Sequence, residues 1–186
     1  MLKGVISLKI RDSRKYFIVL FLTGFFIGII STNIESKKMI LYNGIFSDSF
    51  LNQYRQLNIE PEKYLWYVMK IRLFPMILLG TFGCTRFKRT IVTIFLCWTG
   101  FLSGSGITLA ILKMGVKGML LGIVSLTPQI IFYISGYFIV LWYLYQYPNV
   151  KWSGTKAIGT GLAMLTGIIL ETWVNPIFMK IFIRVL

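Results

Sequence analysis

Few residues of this chain could carry out chemistry, and their types exclude the common catalytic sites. The sequence has no histidine and two cysteines, Cys84 and Cys97, so Ser–His and Cys–His nucleophile pairs cannot form. A Cys/His metal site cannot form either. The carboxylates that could cleave a sugar as a pair are Asp48, Glu60 and Glu62, but nothing around them indicates the shaped site that this reaction needs. We therefore expect no enzyme, no metal and no cofactor.

Three ionisable side chains lie inside apolar segments, where each costs about 2.5–3.5 kcal/mol on membrane insertion scales. Lys70 and Arg72 interrupt the apolar run that begins near residue 64, and Glu171 follows the uncharged run 157–170. With a helical rise of about 1.5 Å per residue, Arg72 lies roughly 12 Å and Glu171 roughly 10 Å from the outer ends of their segments. We expect Arg72 and Glu171 to meet, while Lys70 extends toward the interface.

Three interpretations of this pair are open. In the first, an ion pair only locks two helices together, because charges inside membranes usually pair and face the bundle interior. In the second, the residues line a polar cavity or a partner-binding groove that opens to the outer face. In the third, Glu171 is unpaired and protonated, since removal from water disfavours the charged carboxylate.

Two proline motifs indicate irregular helices. Pro128 and Gln129 lie near the middle of an apolar run, where proline removes a backbone donor and kinks a helix. Neighbouring polar side chains could satisfy the freed backbone groups; these are Ser125, Thr127 and Gln129. Alternatively, Gln129 reaches a neighbouring helix or a cavity. Pro176 disfavours helical backbone at Asn175, so the last helix should end or bend there.

The elements that must position these residues are membrane helices. The chain of 186 residues is 56% apolar, against about 45–50% in soluble domains, and a membrane span needs about 20 mostly apolar residues. The sequence predicts an all-α, polytopic membrane helix bundle in a single domain, 1–186, with an extracytoplasmic loop at 33–63 that could hold a helix on the membrane surface. The five predicted transmembrane helices cover about 16–32, 64–84, 91–112, 118–145 and 157–178.

The basic residues set the predicted orientation. A net charge of +14 could indicate nucleic-acid binding, but the basic residues cluster at the ends of apolar runs, as in membrane proteins. Five lie before residue 16, three in 85–90 and two in 146–156. By the positive-inside rule these segments are cytoplasmic, which places the N-terminus inside and the C-terminus outside. We expect the lipid bilayer as the main partner, in the bacterial cytoplasmic membrane, and no nucleic acid.

Small residues recur four apart within the predicted spans and indicate close helix packing. In lipid, small residues let two backbones approach, although glycine is also common in membrane helices by chance. The predicted packing residues are Gly24, Gly28, Gly100, Gly104, Gly118, Gly122, Gly159, Ala163 and Gly167. The partner helix could belong to the same chain or to a second copy, so a homodimer is also considered.

Three segments together carry a family resemblance. They are "TGFFIGIISTN" (23–33), the glycine-rich stretch 100–139 with Pro128 and Gln129, and "GIILETWVNP" (167–176). Their order resembles the stage II sporulation protein M family of bacterial integral membrane proteins. The resemblance implies a five-span, non-enzymatic scaffold that holds peptidoglycan hydrolases at the septal membrane during engulfment of the forespore. Some branches carry a His-Gly and Glu motif in the fourth span, which this chain lacks, so no metal-related role transfers.

Two main functions follow as hypotheses. The first is the scaffold, for which a filled core with exposed apolar grooves is expected. The second is a membrane subunit of a transporter, such as half of an ABC-type exporter, with a polar site around Arg72, Gln129 and Glu171. That function would need a separate ATPase, because the chain has no nucleotide-binding motif, and a polar cavity enclosed by two copies. An intramembrane enzyme has the least support, since no suitable catalytic dyad is present.

Overall fold

The computed structural model describes residues 2–39, 60–83, 85 and 87–185, and every regular element among them is a helix. In chain order these elements are α1 (Leu2–Met39), α2 (Pro61–Phe82), α3 (Lys88–Met114), α4 (Val116–Leu126), α5 (Ile130–Gln146), α6 (Gly154–Ile169), a π-helical turn (Leu170–Val174) and α7 (Asn175–Val185). The all-α class predicted from the sequence is confirmed for this part of the chain.

Several helices have the length and composition of membrane spans. Within the described residues there are four, namely Lys15–Glu35 of α1, all of α2, all of α3, and Gly154–Arg184, which joins α6, the π-helical turn and α7. Helices α4 and α5 reach the required length only together. The described residues therefore contain four helices that are long and apolar enough to cross a membrane, or five such segments if the α4–α5 pair counts as one broken span.

The segment predicted as one span over 118–145 consists of two helices that meet at an angle. α4 ends at Leu126, α5 begins at Ile130, and the two are bent by 62°. Thr127 is extended, with φ −90° and ψ 140°, because Pro128 disfavours helical backbone at the residue before it. The predicted kink at Pro128 is present, and it is a break rather than a bend within one helix.

The polar segment predicted as a loop over 33–63 is helical at both ends. α1 continues to Met39, since neither glycine nor proline interrupts residues 33–39. α2 begins at Pro61, whose missing N–H and fixed φ suit the first position of a helix. Helical structure therefore extends into both ends of the predicted extracytoplasmic loop, whose position outside the membrane stays a prediction. The expected surface helix falls on residues 40–59, which lie outside the described ranges.

Helices α1 and α3 run parallel and in fixed register. Tyr16 contacts Thr93, the Cys97 thiol donates to the carbonyl of Leu20, and the Ser105 hydroxyl donates to that of Gly28, each pair being 77 residues apart. A Cβ atom on any of four glycines of this interface would overlap a backbone carbonyl of the other helix; they are Gly24, Gly28, Gly100 and Gly104. The two predicted glycine pairs thus face each other within one chain.

The other predicted packing residues divide between α4 and α6. A Cβ on Gly118 would overlap the carbonyl of Ala110, across the turn that joins α3 to α4. Gly122 has no close neighbour in the described part of this chain, because a Cβ atom added there would meet no atom within 4 Å, so its packing against another helix stays a prediction. Residues four apart share a helix face, yet of these two glycines Gly118 is the one that lies against α3.

Helix α6 packs against α5 through small residues. Gly167 lies against the ring of Tyr133, where a Cβ would come within 2.7 Å, and Ala163 lies beside Gly136. Gly159 has room for a side chain, with Ile139 at 3.8 Å. The predicted stripe of small residues is therefore a true packing face, with its tightest contact at Gly167. This contact positions Tyr133 in the polar cluster described below.

Candidate functional site

The site is an ion pair between α2 and the π-helical turn. Arg72 binds Glu171 with two parallel hydrogen bonds, from Nε to Oε2 at 2.9 Å and from Nη2 to Oε1 at 2.7 Å. This fork geometry is the strongest arrangement available to a guanidinium and a carboxylate. The Glu171 side chain is 12% exposed and that of Arg72 is 33% exposed, so Glu171 is the partner that depends more on being neutralised.

Tyr133 on α5 completes the cluster. Its hydroxyl donates to Glu171 Oε2 at 2.6 Å, and its ring lies under the Arg72 guanidinium, 4.7 Å from the ring centroid. A cation over an aromatic face is attracted by the ring's negative π-surface. Tyr133 therefore contacts both members of the ion pair, and the cluster joins α2, α5 and the last helix. Tyr133 is not among the site residues predicted from the sequence.

A second tyrosine fixes α2 to α5. The hydroxyl of Tyr137 donates to the backbone carbonyl of Arg72 at 2.7 Å. Gln129, Tyr133 and Tyr137 are spaced by four residues, which places them along one face of α5. This spacing of polar groups within an apolar run is the signal in the sequence that could have found both tyrosines.

Glu171 is held in a π-helical turn that Pro176 explains. The Asn175 N–H donates to the carbonyl of Leu170, five residues earlier, as in a π-helix. Pro176 has no N–H, and in an α-helix its ring would collide with the carbonyl four residues before it. The wider turn accommodates Pro176, and the helix continues to Val185. Of the two expected outcomes at Asn175, an end or a bend, the end is wrong, and the helix is disturbed by the π-helical turn instead.

The break between α4 and α5 is satisfied by side chains. The hydroxyls of Ser125 and Thr127 donate to carbonyls of the last turn of α4, those of Gly122 and Ile123. Gln129 Nε2 donates to the Ser125 carbonyl at 2.6 Å. All three predicted residues thus cap the helix that Pro128 interrupts. Gln129 Nε2 thus turns back to α4, while its Oε1 is buried without a hydrogen-bond partner. The alternative that Gln129 faces a cavity stays a hypothesis.

Asn175 makes the contact between helices that was expected of Gln129. Its Nδ2 donates to the same Ser125 carbonyl at 3.0 Å, so it links the start of α7 to the end of α4. Asn175 and Pro176 are both buried. The Asn-Pro pair therefore has two roles. Pro176 accounts for the π-helical turn, and Asn175 binds the end of α4.

The remaining predicted site residues lie outside these contacts. Lys70 is exposed on α2 and is not part of the cluster, and Pro128 is partly buried within the break. The cluster thus contains two of the three ionisable residues singled out in the sequence. Both oxygens of Glu171 are occupied by Arg72 and Tyr133, so this carboxylate is arranged to hold three helical elements together.

Comparison of the chain with protein families, curated proteins and solved structures finds no match.

Proposed function

We propose that the chain is a non-enzymatic membrane scaffold of the bacterial cytoplasmic membrane. It crosses the bilayer five times, with the N-terminus inside and the C-terminus outside. The resemblance to the stage II sporulation protein M family assigns it peptidoglycan hydrolases as partners, held at the septal membrane during engulfment. This assignment of partners rests on the resemblance of 23–33, 100–139 and 167–176 alone.

One observation supports the scaffold over a transport pathway: Arg72 and Glu171, two of the three charges inside the apolar segments, satisfy each other. A transport site needs polar groups that can exchange their partners for a substrate. Here two nitrogen atoms of Arg72 donate to the Glu171 carboxylate, and the Tyr133 hydroxyl donates a third hydrogen bond to the same carboxylate. These residues hold helices in place, and the chain offers its exposed apolar side chains to lipid and to partner helices.

The second candidate, a membrane subunit of a transporter, is supported by the α4–α5 break. Discontinuous helices with polar residues at the break are a recurring feature of transporter binding sites. Gln129 lies at such a break and is 1% exposed. In this chain Gln129 and Asn175 both hold the Ser125 carbonyl, so the polar residues of the break serve the helix ends at least in part.

The test is to identify what the tagged protein retains after mild crosslinking in the cells that normally make it. Mass spectrometry would compare the wild-type chain with an unrelated multi-span protein at matched abundance. We expect peptidoglycan hydrolases among the enriched proteins. Enrichment of an ABC-type ATPase without any hydrolase would overturn the scaffold and favour the transporter subunit.

A variant makes this experiment sharper. Swapping the charges, with Arg72→Glu and Glu171→Arg in one chain, keeps an ion pair between the helices but reverses its direction. A scaffold with a structural ion pair should retain its partners in this variant wherever the protein folds. Loss of the hydrolases from a well-folded swapped variant would instead assign the pair a direct role in recognition.

A further inference from the structure

Three buried oxygen atoms near the α4–α5 break have no protein hydrogen-bond partner. They are Gln129 Oε1, Thr172 Oγ1 and Asn175 Oδ1, on residues that are 1%, 3% and 8% exposed. Burial of a polar atom without a partner is unfavourable, and in native proteins such atoms are few and call for an explanation. Gln129 and Asn175 meet at the carbonyl of Ser125, and Thr172 lies in the π-helical turn just before Asn175.

The orientation of both amides is fixed by that carbonyl. Gln129 Nε2 and Asn175 Nδ2 donate to the same Ser125 oxygen, at 2.6 and 3.0 Å. Turning either amide over would bring its oxygen against the carbonyl oxygen, with loss of the hydrogen bond. The two amide oxygens must therefore face away from Ser125, and each remains an acceptor.

The third oxygen lies on the same side of the last helix. Thr172 precedes Asn175 by three residues, and both side chains are buried whereas Trp173 between them is exposed. The next residue, Pro176, has no N–H to donate, so a backbone carbonyl of the preceding turn also loses its helical donor. The end of α4 adds the partial negative charge of a helix C-terminus. This region is therefore rich in hydrogen-bond acceptors. The positive charge of Arg72 does not serve them, because it is paired with the Glu171 carboxylate.

From this arrangement we propose that Gln129 Oε1, Thr172 Oγ1 and Asn175 Oδ1 bind a monovalent alkali cation, Na⁺ or K⁺. Neutral amide, hydroxyl and carbonyl oxygens suit a singly charged ion, whereas calcium sites in proteins draw on carboxylates. Broken membrane helices bind Na⁺ in the same way, through unwound carbonyls and half-helix C-terminal ends. The site depends on these oxygens alone, so it is independent of the scaffold and transporter proposals.

The first experiment uses the purified wild-type chain in lipid nanodiscs with choline as the only cation. NaCl or KCl then replaces choline chloride at constant ionic strength, and the melting temperature is followed by tryptophan fluorescence. A ligand that binds only the folded state raises its stability by mass action. We expect one of the two ions to raise the melting temperature saturably, by several degrees. Equilibrium binding of radioactive sodium or of rubidium, as a potassium probe, should saturate over the same concentration range.

If neither ion binds saturably and both leave the melting temperature as it is in choline, the proposal is overturned, and water satisfies the three oxygens. The ion that acts identifies the occupant. Because these measurements use the wild-type chain, they decide the proposal even if a variant fails to fold.

The matched variants are Thr172→Val and Thr160→Val. Both replace a buried hydroxyl that has no partner with a methyl group of similar size, but Thr160 lies in α6, more than two turns before the π-helical turn. We expect Thr172→Val to weaken ion binding about tenfold or more, and Thr160→Val to leave it unchanged. Equal binding by folded Thr172→Val and wild-type protein would remove Thr172 from the site, and equal weakening by both variants would overturn the assignment.

Discussion

At the scale of residues, the cluster at Glu171 meets the conditions under which a buried ion pair is stable. Removing two charges from water costs more than their attraction returns, unless the geometry is good and the remaining lone pairs are satisfied. Arg72 supplies both prongs of its fork, and Tyr133 adds a third hydrogen bond on Oε2. A lone Glu171 would keep only the hydrogen bond from Tyr133, and a lone Arg72 only the contact with the Tyr133 ring, so the two residues are energetically coupled.

Charge reversal tests this coupling. Arg72→Glu places two carboxylates together and Glu171→Arg two guanidinium groups, and removing one partner of a buried pair costs about 3–5 kcal/mol. We expect either single variant to lower sharply the yield of monodisperse protein extracted from membranes, measured by fluorescence-detected size-exclusion chromatography. The double variant should recover part of that yield. A double variant as poor as the single variants would contradict the coupling.

The hydroxyl of Tyr133 should contribute measurably to stability. Tyr133→Phe keeps the ring beneath Arg72 but removes a hydrogen bond to a charged group, which is worth about 1.5–3 kcal/mol. We expect a lower melting temperature in detergent. The matched control is Tyr143→Phe, since the Tyr143 ring packs on Tyr147 and Trp152, away from the ion pair. Equal melting temperatures for Tyr133→Phe and the control would show that this hydrogen bond adds nothing.

Two residues of this site, Arg72 and Glu171, could be predicted from the sequence, for a definite reason. Depth along a helix follows from residue number, so the meeting of Arg72 and Glu171 could be predicted from two span boundaries. Tyr133 could not be found in that way, because tyrosine is common in membrane helices and has no charge to balance. Likewise, the contact of Asn175 with Ser125 depends on where α7 lies relative to α4, which no local pattern encodes.

At the scale of elements, the contact between α1 and α3 brings two helix backbones directly against each other. Four glycines form it, and the hydrogen bonds of Cys97 and Ser105 to carbonyls of α1 lie in the same interface. Helices in lipid gain little from hydrophobic burial, so packing and such weak polar contacts hold them together. The α1–α3 pair should therefore respond to single added methyl groups.

Gly100→Ala is the corresponding test, with Gly106→Ala as the control on the same helix. A Cβ at Gly100 would overlap the Phe21 carbonyl, whereas one at Gly106 meets no atom within 4 Å. Overpacking typically costs about 1–3 kcal/mol, while alanine in place of an unconstrained helical glycine gains up to about 1 kcal/mol. We expect Gly100→Ala to lower the melting temperature and Gly106→Ala to leave it equal or higher. The reverse order would exclude close packing at Gly100.

The local sequence predicted the positions at which helices are disturbed, but it did not predict the type of disturbance at each position. Pro128 and Pro176 both stand out in the sequence, yet the first produces a break of 62° between two helices and the second a π-helical turn within a continuous one. The two prolines differ in the backbone conformation of the residue before each of them. Thr127 takes an extended conformation that ends α4, whereas Asn175 keeps helical backbone while its side chain is anchored to Ser125.

At the scale of the whole molecule, the topology depends on the bent α4–α5 pair. Because α1 and α3 run parallel, α2, which lies between them in the sequence, must cross the membrane in the opposite direction, as in the predicted order of spans. If α4 and α5 cross as one broken span, the segment after α5 lies on the side of the N-terminus. If they form a re-entrant loop, that segment lies on the opposite side and the chain has four spans.

A single engineered cysteine decides between these two topologies. With Cys84 and Cys97 replaced by serine, Ser153→Cys marks the exposed segment before α6, and Glu60→Cys marks the exposed start of α2. We expect a membrane-impermeant maleimide to label Glu60→Cys in intact cells and Ser153→Cys only after permeabilisation. Labelling of both in intact cells would establish the re-entrant loop, and the reverse pattern would invert the orientation.

The ion pair also sets a problem of timing during biosynthesis. Arg72 precedes Glu171 by 99 residues, so at ~5–20 residues per second the ribosome delivers the carboxylate about 5–20 s after the guanidinium. Throughout that interval α2 carries a charge that costs about 2.5–3.5 kcal/mol in the hydrocarbon. We therefore expect the guanidinium of Arg72 to stay hydrated or to extend toward the interface during that interval. Glu171 would neutralise it only when the last helix emerges, so the ion pair would form late in assembly.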